Sequence, residues 1–301
     1  MSEIKLSKVV VYGLGAMGRP MARNLKDHDL LIGVKNRTEG KALAISNELD
    51  LHEFEDDEDM FSQADCVLTC VAADNDLKAV VNDFIDYLQP GSVVIDCSTV
   101  SPNTARTLAD DLASKGIGFM DAPVSGGVEG ANKGSLSIMV GAEREHYKRA
   151  SEVFSAIGSQ ITHMGRVGQG QATKAVNQVM VAGVAQAVCS ALAMAEKCNL
   201  DMKKTIEVLS AGAAGNWFLD NRGRTMVKNE FKTGFKLSLL HKDLNICQST
   251  AAEMGVKLPL IDDSINDYAK LMDMAHGEED ISALIRLKRQ LFKNTENPKD
   301  E

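Results

Sequence analysis

Apolar residues in the first half of the chain come in short runs separated by amphipathic stretches. Lys8 to Tyr12 (KVVVY) is a β-branched run, and Leu30 to Val34 is a second. Cys66 to Val71 (CVLTCV), Ser92 to Asp96 (SVVID), Gly118 to Asp121 and Ser135 to Val140 (SLSIMV) follow. Runs of this length between turn residues predict buried strands. Between them, Arg19 to Lys26, Lys41 to Glu48, Asp76 to Leu88 and Thr104 to Lys115 carry apolar residues at helical spacing. Pro20 suits the first turn of its helix, where a missing N–H costs nothing, and Pro90-Gly91 breaks the chain after Leu88. The acidic patch Glu53 to Asp59 reads as a solvated loop and helix start. Strands alternating with helices predict an α/β fold with a doubly wound parallel sheet.

The alternation stops near Gly165. Ala172 to Cys198 is one long run of small apolar residues, a helix of roughly 40 Å at 1.5 Å per residue. Met202 to Leu209, Asn221 to Lys228, Leu237 to Met254, Leu260 to Met274 and Ile281 to Phe292 predict further helices, and the polar tail after Lys293 is expected to fray. Two domains are therefore expected: residues 1–166, α/β, and residues 167–301, all-helical, joined at a helix start. Ala175 to Ala195 could suggest a membrane span, but it contains Asn177, Gln178 and Gln186. Three amides would be costly in lipid, so a buried helix between domains fits better and no membrane partner is expected.

Composition narrows the function classes. Of 301 residues, 44% are hydrophobic and 25% charged, so a sizeable core can form. The net charge of -9 argues against a nucleic-acid partner while leaving room for a local basic pocket. The six cysteines form no CxxC pair and have no histidine at ligand spacing, which suggests buried free thiols in a reducing cytosol. The histidines are scattered, so no metal is expected. The opening MSEIKLSK reaches a strand too soon for a signal peptide, which points to the cytoplasm. A GxSxG elbow and a Walker loop are absent, which removes hydrolase and kinase readings.

Gly13-Leu14-Gly15-Ala16-Met17-Gly18 matches GxGxxG, follows a strand and opens a helix, the context that makes this pattern a dinucleotide site. Its first glycine makes the turn, its second admits the pyrophosphate, and its third packs helix on strand. The second strand ends Val34-Lys35-Asn36-Arg37-Thr38. An NAD site usually has a carboxylate there for the ribose 2′-OH. Here Asn36, Arg37 and Thr38 would suit a 2′-phosphate, so NADP(H) is expected over NAD(H).

GLGAMGRPMARNL, DAPVSGG, GQATKAVNQ and HKDLN occur in that order. Together they resemble the β-hydroxyacid dehydrogenases, a family that includes 3-hydroxyisobutyrate dehydrogenase, tartronate semialdehyde reductase and the glyoxylate/succinic semialdehyde reductases. The resemblance runs from Val9 to about Phe292. It implies a Rossmann-type N-terminal domain, a long interdomain helix, an all-helical C-terminal domain, and a cleft for nicotinamide and substrate. It makes Ser125, Gly126 and Gly127 the loop for a substrate carboxylate, a reading that the hydroxyl and unhindered N–H groups allow. It makes Lys174 the catalytic acid/base and Asn177, at i+3, its companion. A lysine among Ala172, Ala175 and Val176 suffers desolvation, which eases proton release.

By the same resemblance Lys242 and Thr99 approach the nicotinamide end of the cofactor, Val71 and Ala72 line its adenosine side, and Asp243 lies at the substrate end. Trp217 and Phe235 are candidate pocket walls, with core packing as the alternative. The expected activity is hydride transfer between NADP(H) and a small 3-hydroxy acid or semialdehyde acid. Two alternatives carry less weight. An imine reductase of this architecture usually replaces the lysine, and a non-catalytic binding scaffold usually loses it and adds domains. The small-residue helical domain suggests a homodimer or homotetramer.

Overall fold

The computed structural model describes residues Lys5–Lys293. The polar tail expected to fray after Lys293 lies outside them. The first half runs β1 (Val9–Tyr12), α1 (Gly18–Asp27), β2 (Leu31–Lys35), α2 (Glu39–Glu48), α3 (Asp57–Ser62), β3 (Cys66–Thr69), α4 (Asp74–Phe84), β4 (Val93–Asp96), α5 (Pro102–Ala113) and β5 (Gly118–Asp121). It continues through β6 (Val124–Ser125), α6 (Gly127–Asn132), β7 (Leu136–Gly141), α7 (Arg144–Arg149), α8 (Ser151–Ile157) and β8 (Gly158–Gly165). Strands β1, β3, β4 and β5 are buried along their full length. This is what a sheet covered by helices on both faces requires. Local signals end the segments where expected. Ser101 accepts from the Thr104 N–H and Pro102 opens α5, while the Asp56 carboxylate caps α3.

The strand order is β2-β1-β3-β4-β5-β7-β6, with β8 on β7. Five strands, β2 to β5 through β1, are parallel. The expected doubly wound parallel sheet is present, and beyond these five strands it becomes mixed, because β7 runs antiparallel to β5 and β6. The sequence hides this part. β6 has only two residues, and β8 (GSQITHMG) carries mostly exposed or half-exposed positions, so neither gives an apolar run. The helices α6 to α8 are only six or seven residues long, too short for a helical period to stand out.

The remainder is helical: α9 (Gln169–Lys197), α10 (Met202–Ala211), α11 (Trp217–Val227), α12 (Leu237–Glu253), α13 (Pro259–Asp273) and α14 (Ile285–Lys293), with a 3₁₀ turn over Ile281–Leu284. Contacts divide the chain into two units between Lys174 and Ala175, inside α9. The helical unit has its own core, in which Ala182, Ala185, Cys189 and Leu192 of α9 join Leu240, Leu244, Tyr268 and Leu271. By length and composition α9 could cross a membrane. Its amides, however, serve this core. Gln186 donates to Ser264 and Asp267 on α13, and Gln178 donates to Asp243 on α12. The expectation of a buried helix needs one correction: Val176 and Met180, one turn apart on α9, are 67% and 66% exposed.

Candidate active site

The first element of the site is the turn after β1. Gly13 has φ +103, and a Cβ there would fall 2.3 Å from the Cys70 carbonyl oxygen. A Cβ on Gly18 would fall 1.8 Å from the Gly13 oxygen. These two glycines are therefore required by the turn itself. At Gly15 a Cβ would meet nothing within 4 Å. No internal packing demands glycine there, and its bare backbone leaves the approach a pyrophosphate needs. Met17 precedes α1 without a side-chain cap bond, so no side chain competes at that helix start.

Leu14 is buried, and its N–H donates to Asn36 Oδ1 at 3.0 Å. Asn36 Nδ2 donates onward to the Thr38 carbonyl. Asn36 thus ties the glycine turn to the end of β2. Arg37 is an exposed side chain paired with Asp76 at 3.2 Å, and its neighbour Lys35 pairs with Asp57. On the far side of the turn, the Val71 N–H donates to Ser98 Oγ at 2.9 Å and Ala72 is exposed.

The second element is the segment leaving β5. Asp121 ends that strand fully buried. Its carboxylate accepts from the N–H groups of Gly168 and Gln171, both at 2.7 Å. It thereby caps the first turn of α9, which has no capping side chain of its own in sequence. Three residues on, the Val124 carbonyl accepts from Lys174 Nζ at 2.8 Å. Ser125 follows directly, and Gly126, at φ +128, makes the turn that a side chain would strain. The lysine named from the sequence thus meets the loop named from the sequence. Gln171, 1% exposed, uses its carboxamide twice: Nε2 donates to the Ser98 carbonyl at 2.8 Å, and Oε1 accepts from the Val100 N–H at 3.2 Å. These bonds bracket Thr99.

The helical unit carries a second polar chain. Asn177 Nδ2 donates to Gln178 Oε1 at 2.8 Å, and Gln178 Nε2 donates to Asp243 Oδ2 at 2.6 Å. Lys242 Nζ pairs with Asp243 Oδ1 at 2.9 Å. A buried carboxylate so partnered avoids the penalty of an isolated charge. Burial also lowers the basicity of the neighbouring His241. Phe235 is half-buried against the helical core, with its N–H donating to Asp280. Trp217 departs from the core-packing alternative. It begins α11 57% exposed, with the Arg222 guanidinium 5.2 Å from its ring. Sequence reasoning assigned nothing to Asp121, Gln171 or Gln178. The available signal was polar residues inside otherwise apolar or small-residue stretches, beside Ser125, Lys174 and Asn177.

Asp121 gives a pH prediction. Burial pushes its carboxyl up to about 7, with nearby Asp96 adding to the rise, against the lowering by the Gly168 and Gln171 N–H bonds. The unfolded group titrates near 3.8. Between about 4 and about 7 the folded chain therefore holds a proton that the unfolded chain has released, so stability falls as pH rises through that window. Asp121→Asn removes this titration. The melting temperature of the wild type minus that of the variant is expected to be largest near pH 4 and to decline up to pH 7. A difference that does not change with pH would contradict the assignment.

A family model described as the NAD binding domain of 6-phosphogluconate dehydrogenase matches residues 8–165. A second, described as NAD-binding of NADP-dependent 3-hydroxyisobutyrate dehydrogenase, matches residues 168–288. An uncharacterised oxidoreductase of Shewanella frigidimarina is 35% identical over 283 residues, 93% of this chain and 97% of its own. The 2-hydroxy-3-oxopropionate reductase of Escherichia coli is 32% identical over 257 residues, 84% of this chain and 87% of its own. The chain belongs to the β-hydroxyacid dehydrogenase family. Among solved structures, the 3-hydroxyisobutyrate dehydrogenase of Mycobacterium tuberculosis with L-serine has a TM-score of 0.84 at 29% identity, covering 94% of this chain and 99% of that one. As a β-hydroxyacid dehydrogenase the protein is an oxidoreductase of the NAD(P)-dependent type that acts on hydroxyacids. Its glycine turn, open at Gly15, fits a pyridine nucleotide.

Proposed function

We propose that the protein transfers hydride between NADP(H) and a small 3-hydroxy acid or semialdehyde acid, with Lys174 as the general acid/base. The observation that carries this reading is the 2.8 Å bond from Lys174 Nζ to the Val124 carbonyl. It sets an ammonium beside Ser125 and the Gly126-Gly127 backbone. The nicotinamide, when bound, accepts or donates the hydride. The chain does the rest. Ser125 Oγ–H and the Gly126 and Gly127 N–H groups hold the substrate carboxylate. Lys174 donates a proton to the carbonyl oxygen in reduction and removes one from the hydroxyl in oxidation. Asn177, one turn on along α9, orients the reacting oxygen. Asp243, Trp217 and Phe235 shape the substrate side.

For the cofactor, the turn from Gly13 through Leu14, Gly15, Ala16 and Met17 to Gly18 holds the pyrophosphate. Val71 and Ala72 flank the adenosine, and Thr99 and Lys242 serve the nicotinamide end. Arg37, helped by Thr38 and the Asn36 backbone, takes the 2′-phosphate. To do so Arg37 exchanges its exposed pair with Asp76 for a charge-assisted bond to phosphate. Arg37→Ala is expected to weaken NADP(H) binding by about ten- to a hundredfold and to leave NAD(H) nearly unchanged, as read by cofactor titration. Equal effects on both would remove Arg37 from this role.

A panel of short hydroxy acids and aldehyde acids, run with both cofactors, tests the reading as a whole. Turnover is expected for at least one small carboxylate with NADP(H), and inactivity across the panel overturns it. The reading extends to a cytoplasmic enzyme, in keeping with cysteines that are all unbridged among the described residues. It also extends to a homodimer or homotetramer, with a second copy covering the Val176 and Met180 stripe of α9. Light scattering behind gel filtration is expected to give a multiple of the chain mass. Val176→Asp with Met180→Asp should shift it toward one chain.

A further inference from the structure

Two buried polar side chains and a glycine support the start of α9. Asp121 holds the backbone of its first turn. Gly170 permits that approach, since a Cβ there would fall 2.3 Å from the Met139 carbonyl and 2.8 Å from Asp121 Oδ2. Gln171 makes the remaining link. Its N–H is bonded to Asp121, while its carboxamide is bonded to both neighbours of Thr99. One residue, through its backbone N–H and its carboxamide, therefore joins the end of β5, the segment after β4 and the helix bearing Lys174. Lys174 stands at i+3 from Gln171, on the next turn of the same helix, and reaches the Val124 carbonyl.

We propose that Gln171 is a positioning residue that sets Lys174 in register with the Thr99 segment and the Ser125 loop, through its carboxamide bonds to Ser98 and Val100. The inference rests on the reading of Lys174 as the acid/base, but it concerns the placement of that side chain and can be tested apart from its chemistry. A carboxamide suits this position because it both donates and accepts: the Ser98 carbonyl needs a donor and the Val100 N–H needs an acceptor. An apolar side chain of similar volume satisfies neither. A glutamate satisfies only Val100 and turns a carboxylate oxygen toward the Ser98 carbonyl.

The test uses the full-length protein labelled with ε-¹³C lysine. The signal missing from Lys174→Ala belongs to Lys174. In Gln171→Leu that signal is expected to move or broaden, while kcat for the panel acid turned over fastest falls by about ten- to a hundredfold. NADP(H) affinity is expected to fall less than kcat, because the Gly13 to Gly18 turn that holds the pyrophosphate is untouched while the Thr99 segment loses its two Gln171 bonds. Gln171→Glu, which keeps the Val100 bond but sets a buried carboxylate against the Ser98 carbonyl, is expected to displace the Lys174 signal and lower kcat as well, and it serves if the leucine variant does not fold. Adding Gln171→Leu to Lys174→Ala is expected to lower kcat no further, since a residue acting through Lys174 has nothing left to position.

An unmoved Lys174 signal overturns the proposal, and so does an additive loss in the double variant. If Lys174→Ala alone retains full turnover, the acid/base reading fails. The displaced or unmoved signal then still decides whether Gln171 positions the lysine.

Discussion

Lys174→Ala is expected to lower kcat by about 10²–10⁴-fold, the range that a positioned proton donor contributes. Cofactor affinity should be nearly unchanged. The two effects separate because of where Lys174 sits. Its ammonium is held by the Val124 carbonyl beside Ser125, whereas the cofactor turn lies at the end of β1, on other residues of the sheet. The loss should appear in kcat more than in KM, since proton transfer belongs to the transition state rather than to ground-state binding. Removal of a buried ammonium also leaves the Val124 carbonyl without that donor, so a modest fall in melting temperature accompanies the change. Steady-state kinetics and NADPH fluorescence titration measure the two quantities on one preparation. Turnover within a factor of ten of wild type, with the fold intact, removes Lys174 from the chemistry.

The second large effect distinguishes glycines that serve the fold from the one that serves the ligand. Gly18→Val places a Cβ 1.8 Å from the Gly13 oxygen and cannot be accommodated without moving the turn. It is expected to cost about 3 kcal/mol or more of stability, and cofactor binding falls with it. Gly15→Val meets nothing within 4 Å at its Cβ, so its melting temperature should stay within a few degrees of wild type. Its dinucleotide affinity should drop by more than tenfold, because the branched side chain stands where the pyrophosphate approaches. Thermal melts together with cofactor titration check both variants. A strongly destabilised Gly15→Val would show that the second glycine, too, is demanded by packing.

Much of this was legible because the signals were local. KVVVY followed by GLGAMG specifies a strand, a turn and a helix within fifteen residues, and β1 and α1 formed there. The apolar runs in CVLTCV and SVVID read as strands, and Cys66–Thr69 and Val93–Asp96 are buried on every position. The mixed edge of the sheet was not legible. β6 is too short for a periodicity, and β8 carries His163, Thr162 and Gln160 on a largely exposed strand. The site divided in the same way. Ser125, Lys174 and Lys242 stood in motifs long enough to be recognised. Gln171 and Gln178 stand in the same GQATKAVNQ stretch as Lys174, but what their side chains hold depends on partners some 70 and 65 positions away in the chain, a distance at which spacing carries no information. A lone tryptophan suggests a core or a pocket, and the core reading fails because Trp217 opens α11 57% exposed, with Arg222 over its ring.

The bond between Leu14 and Asn36 bears on redesign. Residues after β2 are the obvious place to convert such an enzyme from one nicotinamide cofactor to the other. Here, however, they are not interchangeable as a block. Asn36 ties the glycine turn to the end of β2, and replacing it together with Arg37 and Thr38 is expected to loosen that turn as well as alter the 2′-phosphate contact proposed for Arg37. A change at Arg37 alone, with Asn36 kept, is expected to shift selectivity on the role proposed for Arg37, without loosening that turn. The two residues are neighbours in the sequence but answer to different parts of the fold, Asn36 to the glycine turn and Arg37 to an exposed pair with Asp76.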